Sequence, residues 1–213
     1  AEAATANVRW IFGPCLDLHR TGPNDIASPI IANRAFGGDI QRVIECAGAF
    51  IKGVTDAGGI PCGKHFPGHG ACAQDSHTEM AVSFDDMTPH LEPYRALVEQ
   101  MPSIMVGHIE FPMFDESGKP ASRSKTIMDI LRKDLNYKGL VVTDSISMTG
   151  FGEPQEELAV EAIAAGVDVL LDPKDPVALA MTLRDAVARG DLDEERVREA
   201  VARIDKLIRL SLD

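Results

Sequence analysis

Short runs of consecutive apolar residues alternate along the chain with longer stretches in which apolar side chains recur every three to four positions. The first pattern belongs to buried strands and the second to amphipathic helices. It predicts strands over residues 8–11, 60–64, 103–107, 139–143 and 167–171, and helices over 39–57, 89–100, 126–135, 155–165, 175–189 and 193–210. In the first of these helices Val43, Ile44, Ala47, Phe50, Ile51 and Val54 share a face, and Gly58-Gly59 ends it as a C-cap. Pro89 suits the first turn of the next helix, Gly166 closes the fourth, and Gly190-Asp191 separates the last two. Strands that are short and apolar throughout, alternating with helices, make a parallel sheet covered by helices. No repeat and no compositional break marks a linker, so residues 1–213 read as one domain.

Two α/β architectures share this pattern. An open doubly wound sheet carries a glycine-rich phosphate loop after its first strand, and Gly13-Pro14-Cys15-Leu16 is not one. In a (β/α)8 TIM-type barrel, functional residues project from the C-terminal ends of several strands. Asp17, Lys64-His65, His108 and Asp144 all follow predicted strands, which favours the barrel. Five strands fall short of eight, and a barrel takes about 250 residues, so the expectation is an incomplete barrel.

Composition narrows the function classes. The 213 residues carry 33 acidic and 21 basic side chains, a formal net charge of −12. Such a surface repels phosphate backbones, which argues against a nucleic-acid partner. No apolar run reaches the roughly 20 residues of a membrane span, and the first residues lack the basic and apolar regions of a signal peptide. Cysteines at 15, 46, 62 and 72 form no C-x-x-C pair and are too sparse for a disulfide scaffold. The expectation is a reduced, cytoplasmic protein.

Candidate chemistry is densest from Gly63 to His77, where Lys64, His65, His69, Asp75 and His77 follow a strand. His65 and His69 have the spacing of a helical zinc pair, but Pro67 and Gly68 oppose a helix and no Glu follows His65. No metal is expected. Histidine can donate and accept a proton within one cycle at neutral pH. Asp75, two residues before His77, can orient that ring and support its cationic form; the alternative is a pair of solvated loop residues. Asp144 sits where a buried strand ends, about ten residues before the next helix. That leaves it free of a capping role and able to act as a nucleophile. Arg34 precedes a helix on another loop and is by itself no more than a surface arginine in a turn. His108 either faces the site or completes a polar layer.

Lys64-His65-Phe66-Pro67-Gly68-His69-Gly70, Asp75-Ser76-His77 and Val142-Thr143-Asp144-Ser145-Ile146-Ser147-Met148 together resemble family 3 of the glycoside hydrolases, in its β-N-acetylglucosaminidase branch. Gly13-Pro14-Cys15-Leu16-Asp17-Leu18, Asn33-Arg34-Ala35-Phe36-Gly37 and Pro120-Ala121-Ser122 support it. The resemblance runs from near residue 8 to the end. It implies Asp144 as nucleophile, His77 as acid/base with Asp75 as its partner, and Arg34, Lys64 and His65 as sugar-binding residues. The implied reaction is retaining hydrolysis of terminal β-linked N-acetylglucosamine, on muropeptide or chitin-type fragments, with no cofactor. The loop carrying His77 would close over the sugar, and Gly68, Gly70 and Ala71 suit such motion.

Family members carry about two further βα units before the segment matching Val8, including an acidic residue that binds a sugar hydroxyl. The shortfall implies a fragment, a degenerate relative, or an assembly in which a second copy or a partner chain fills the gap. Two rival functions remain. A neutral histidine repels an incoming phosphate less than a carboxylate does, which would suit a phosphorylase. The missing strands would suit an inactive sugar-binding domain.

Overall fold

The structure is a computed structural model, and it describes residues 2–19, 28 and 30–212. A one-turn helix α1 (Glu2–Thr5) precedes β1 (Trp10–Ile11). Then follow α2 (Ile40–Asp56), β2 (Ile60–Phe66), β3 (Ala81–Val82), α3 (Thr88–Leu97), β4 (Ser103–Val106) and β5 (Ile109–Glu110). The remaining elements are α4 (Lys125–Asp129), β6 (Leu140–Ser145), α5 (Gln155–Ala165), β7 (Val169–Leu171), α6 (Pro176–Arg189) and α7 (Glu194–Leu212).

The five predicted strands form one parallel sheet in the order β1-β2-β4-β6-β7, which is their order along the chain. Trp10 pairs with Ile60, Cys62 with Ser103, Ser103 with Leu140, and Val142 with Val169. Strands paired in sequence order, each followed by a crossover helix, are the wall of a (β/α)8 barrel. With five such strands the wall is a curled, incomplete barrel, as the sequence implies. β3 and β5, which the sequence pattern does not announce, pair as a separate two-stranded parallel ribbon.

Alternation along each strand divides the core in two. Ile104, Val106 and Val141 point toward the helices, in a large cluster with Tyr94, Phe111, Leu131 and Phe151. Ile60, Cys62, Met105, Leu140 and Val142 point to the opposite face and form a second cluster with Trp10, Phe12, Val169 and Leu171. Leu207 of α7 packs into that inner cluster, and the Trp10 indole N–H donates to Ser103 Oγ at 2.8 Å.

Helix ends follow local rules. Asp39 caps α2 by accepting from the Arg42 N–H, and Asp175 caps α6 by accepting from Val177 and Ala178. α6 stops at Gly190, which takes a left-handed φ of 81°. The helix expected over 126–135 is instead α4 followed by a π-helical turn, Ile130–Asp134. From that turn Arg132 reaches the Gly139 carbonyl at 2.6 Å and the buried Asp168 carboxylate at 2.6 Å. No helix among the described residues is long and apolar enough to cross a membrane.

Candidate active site

The chemically capable residues gather at the C-terminal ends of β1, β2, β4 and β6. Asp144 belongs to the inward-facing set of β6, two residues after Val142, and its side chain is 20% exposed. It caps no helix; its Oδ1 accepts from the N–H of Ser145 at 2.9 Å. Burial acts to raise its pKa, but His65, His108, the Ser145 N–H and Lys64 together hold it below the ordinary carboxylate range. Asp144 is therefore an anion at neutral pH, with a lone pair free of proton competition.

His65 reaches the same site through a break in the β2 pattern. Strict alternation from Ile60 and Cys62 would bring Lys64 inward and send His65 outward. The β2–β4 register shifts between Gly63 and Phe66, and His65 Nε2 comes within 3.8 Å of Asp144 Oδ2. Behind it, Asp17 is wholly buried on the loop after β1. Its Oδ2 accepts from the His65 ring Nδ1 at 2.8 Å, the His65 backbone N–H at 3.1 Å and the Cys15 thiol at 3.0 Å. Its Oδ1 accepts from the His69 backbone N–H at 2.5 Å. Desolvation opposes the charge, but His65 and these hydrogen bonds outweigh it and keep Asp17 well below the usual carboxylate range.

The third cluster carries the Asp75–His77 pair. Both the ring Nδ1 and the backbone N–H of His77 donate to Asp75 Oδ1, at 2.8 and 2.9 Å. The backbone bond, then the ring bond, holds Asp75 low, and Nε2 is left as the ring nitrogen available to a ligand. The pair is exposed, but its loop is anchored at both sides. His69 Nε2 lies 2.8 Å from the buried Ser76 Oγ, and the N–H of Gly150 donates to the Ser76 carbonyl at 3.0 Å. Gly150 lies on the loop that leaves β6, so the segments bearing Asp144 and His77 are tied together through backbone. Gly70 crosses Leu18 so closely that a Cβ would fall on its carbonyl; only glycine fits there.

Structure thus brings Asp144 together with Lys64 and His65, and Asp75 with His77, as the motifs imply. Arg34 differs. It is exposed in a short 3-10 turn, and its guanidinium donates to the Ile30 carbonyl at 3.2 and 2.8 Å. Cys15, Asp17 and His65 place a thiol, a carboxylate and an imidazole within 4.8 Å of one another. Burial pushes the Cys15 thiol far up and the Asp17 oxygens are already taken, so the trio is a closed hydrogen-bond network. A cavity of about 470 Å³ opens at the other end of the strands, beside Pro102, Tyr137, Lys138 and Lys206.

Sequence reading left His108 undecided and gave no role to Ser122 or Asp172. His108 is wholly buried; its Nε2 donates to the Ser145 carbonyl at 3.1 Å and its Nδ1 accepts from Ser122 Oγ at 2.8 Å. It completes a polar layer directly beneath Asp144. Ser145 Oγ donates to Asp172 Oδ2 at 2.7 Å and pins the end of β6 to the end of β7. A polar residue directly after a predicted strand was the signal for His108, and Asp172, directly after the strand predicted over 167–171, carries the same signal.

Burial lowers His108 from its ordinary 6.5 to about 4. Between those values the unfolded chain takes up a proton that the folded chain refuses, so stability falls as pH drops from 6.5 toward 4, by roughly 3 kcal/mol at most. His69, also lowered by burial, adds to the same slope, whereas the depressed Asp17 and Asp144 lose their contributions only below the ordinary carboxylate range. Urea unfolding at a series of pH values is expected to show this slope, and His108→Gln is expected to reduce it. An unchanged slope would exclude His108 as its source.

A model of the glycosyl hydrolase family 3 N terminal domain matches residues 1–207. The chain is 36% identical over 180 residues to a beta-hexosaminidase of Vibrio cholerae serotype O1, covering 80% of this chain and 51% of that protein. Among solved structures, a glycoside hydrolase family 3 β-N-acetylglucosaminidase of a Paenibacillus species superposes with a TM-score of 0.92 at 29% identity, over 99% of this chain and 41% of that one. The beta-glucoside phosphorylase BglX does so with a TM-score of 0.85 at 30% identity, over 99% and 39%. The chain spans about half the length of the curated relatives it matches. The strand order, the strand-end carboxylates and the match along nearly the whole sequence agree, and the chain belongs to glycosyl hydrolase family 3, as its N-terminal domain.

Proposed function

We propose that the chain carries the catalytic centre of a retaining glycosidase that releases terminal β-linked N-acetylglucosamine from muropeptide or chitin-type fragments. The observation that carries this reading is an anionic, partly exposed Asp144 at a strand end, set against His65 and joined by backbone to the loop of the Asp75–His77 pair. In the first step Asp144 attacks the anomeric carbon as its bond to the leaving oxygen breaks, and His77 gives that oxygen a proton from Nε2. In the second, neutral His77 takes a proton from water, the water oxygen bonds to the anomeric carbon, and Asp144 departs. Asp75 keeps the His77 ring oriented and offsets its positive charge. Lys64, His65 and Arg34 hold sugar hydroxyls; for Arg34 this needs release from the Ile30 carbonyl. The names of the Vibrio and Paenibacillus relatives support the substrate class.

The wall between β1 and β7 would be completed by further strands, from the same or another chain. Four free cysteines, three of them buried, suit a reducing compartment, in keeping with the cytoplasm.

Phosphorolysis is the second reading, favoured by a histidine acid/base that is neutral when the second nucleophile arrives and by the likeness to BglX. A fluorinated N-acetylglucosaminyl trap separates the outcomes. Mass spectrometry is expected to show an adduct on the peptide holding Asp144, and turnover in phosphate is expected to yield free sugar. A sugar 1-phosphate would replace the hydrolase by a phosphorylase; sugar binding without adduct or turnover would leave an inactive binding domain.

A further inference from the structure

We infer that Asp17 is a positioning residue that acts through His65: it fixes the hydrogen on the ring Nδ1 and so dedicates Nε2 to the sugar beside Asp144. The inference rests on the glycosidase reading for its consequence in rate, though not for its geometry.

An imidazole has two nitrogens, and which one carries hydrogen is set by the partner of the other. Asp17 Oδ2 lies 2.8 Å from His65 Nδ1, and a carboxylate can only accept. Nδ1 must therefore donate. The same oxygen also accepts from the His65 backbone N–H, so main chain and ring are held by one atom and the ring cannot turn without losing its Nδ1 bond. The carboxylate itself has no freedom. It is wholly buried, and Cys15 and His69 donate to it from other directions. At 3.8 Å the far nitrogen is too distant from Asp144 Oδ2 for a direct hydrogen bond, so Nε2 remains available to a sugar hydroxyl. Without Asp17 the ring hydrogen would be free to move to Nε2, and the nitrogen facing the sugar would no longer have one defined role.

The test joins a spectroscopic measurement to a mutant cycle in the full chain. With ¹⁵N-labelled histidine, NMR near neutral pH is expected to show His65 of the wild type with its hydrogen fixed on Nδ1, and Asp17→Ala is expected to lose that preference. Asp17→Ala is expected to lower kcat on an aryl N-acetylglucosaminide about 10- to 100-fold. The same substitution made on His65→Ala is expected to add almost nothing. Asp17→Asn keeps an acceptor for the ring, so it is expected to retain the wild-type tautomer and recover most of the rate; it also serves if the alanine variant fails to fold. An Nδ1 without hydrogen in the wild type would overturn the inference. So would an Asp17→Ala loss undiminished on His65→Ala, or an asparagine variant as slow as alanine while keeping the wild-type tautomer. If the chain turns over no glycoside but the NMR result holds, the glycosidase reading fails and the assignment of the His65 tautomer to Asp17 stands.

Discussion

Replacing Asp144 with asparagine is expected to lower kcat on a chromogenic aryl N-acetylglucosaminide by at least about 10³-fold, the scale on which loss of a covalent nucleophile is felt. The amide has nearly the same shape, and its oxygen can still accept from the Ser145 N–H, the bond that Oδ1 now receives at 2.9 Å. Lost are the negative charge and the nucleophilic lone pair. Because the side chain is partly open to solvent and its only cross-strand ion-pair contact among the described residues is with His65 at 3.8 Å, the thermal midpoint is expected to stay within a few degrees of the wild type. Steady-state kinetics beside a melting curve therefore separates chemistry from folding. Comparable rates for the two proteins would remove Asp144 from the nucleophile's role, and with it the covalent mechanism.

The largest expected loss of stability lies at the opposite end of the sheet. Asp168, at the foot of β7, has a fully buried carboxylate. It binds Arg132 at 2.6 Å, Arg196 at 2.6 Å and Arg203 at 3.0 Å, and accepts from the Val141 N–H at 2.9 Å. One anion thus ties the π-helical turn, α7 and two strands together. Asp168→Ala would leave three largely buried guanidinium groups facing one another and a backbone donor without its acceptor. Breaking a buried ion pair by removing one partner costs about 3–5 kcal/mol, and that is the loss expected in urea unfolding. A loss below about 1 kcal/mol would mean that the arginines repair the site with solvent or with Glu199, which lies 3.5 Å from Arg196.

Much of the architecture was legible because its causes are local. Apolar spacing in α2 and the break at Gly190-Asp191 depend on neighbours within a few residues, and each marked its element; the caps that the structure shows at Asp39 and Asp175 are equally local. The two-residue strands β3 and β5 were not legible, because a pair that short has no period of its own. The site was legible in part for the same reason. Asp75 and His77 are two residues apart and meet through a local turn. Arg34 sits in a motif, yet its observed partner is the Ile30 carbonyl four residues back.

What the sequence determined by itself is therefore the order of strands and helices, the parallel sheet and the residues at the strand ends, all consequences of periodicity and short-range capping. Tertiary structure decided which of those residues meet. Asp17 joins His65 and His69 across 48 and 52 positions, Asp168 collects arginines 28 to 36 positions away, and a register shift in β2 turns His65 toward Asp144. Such encounters leave no periodic trace, because a buried charge is stabilised by whatever partner the fold brings within hydrogen-bond reach, and sequence separation does not enter that energy.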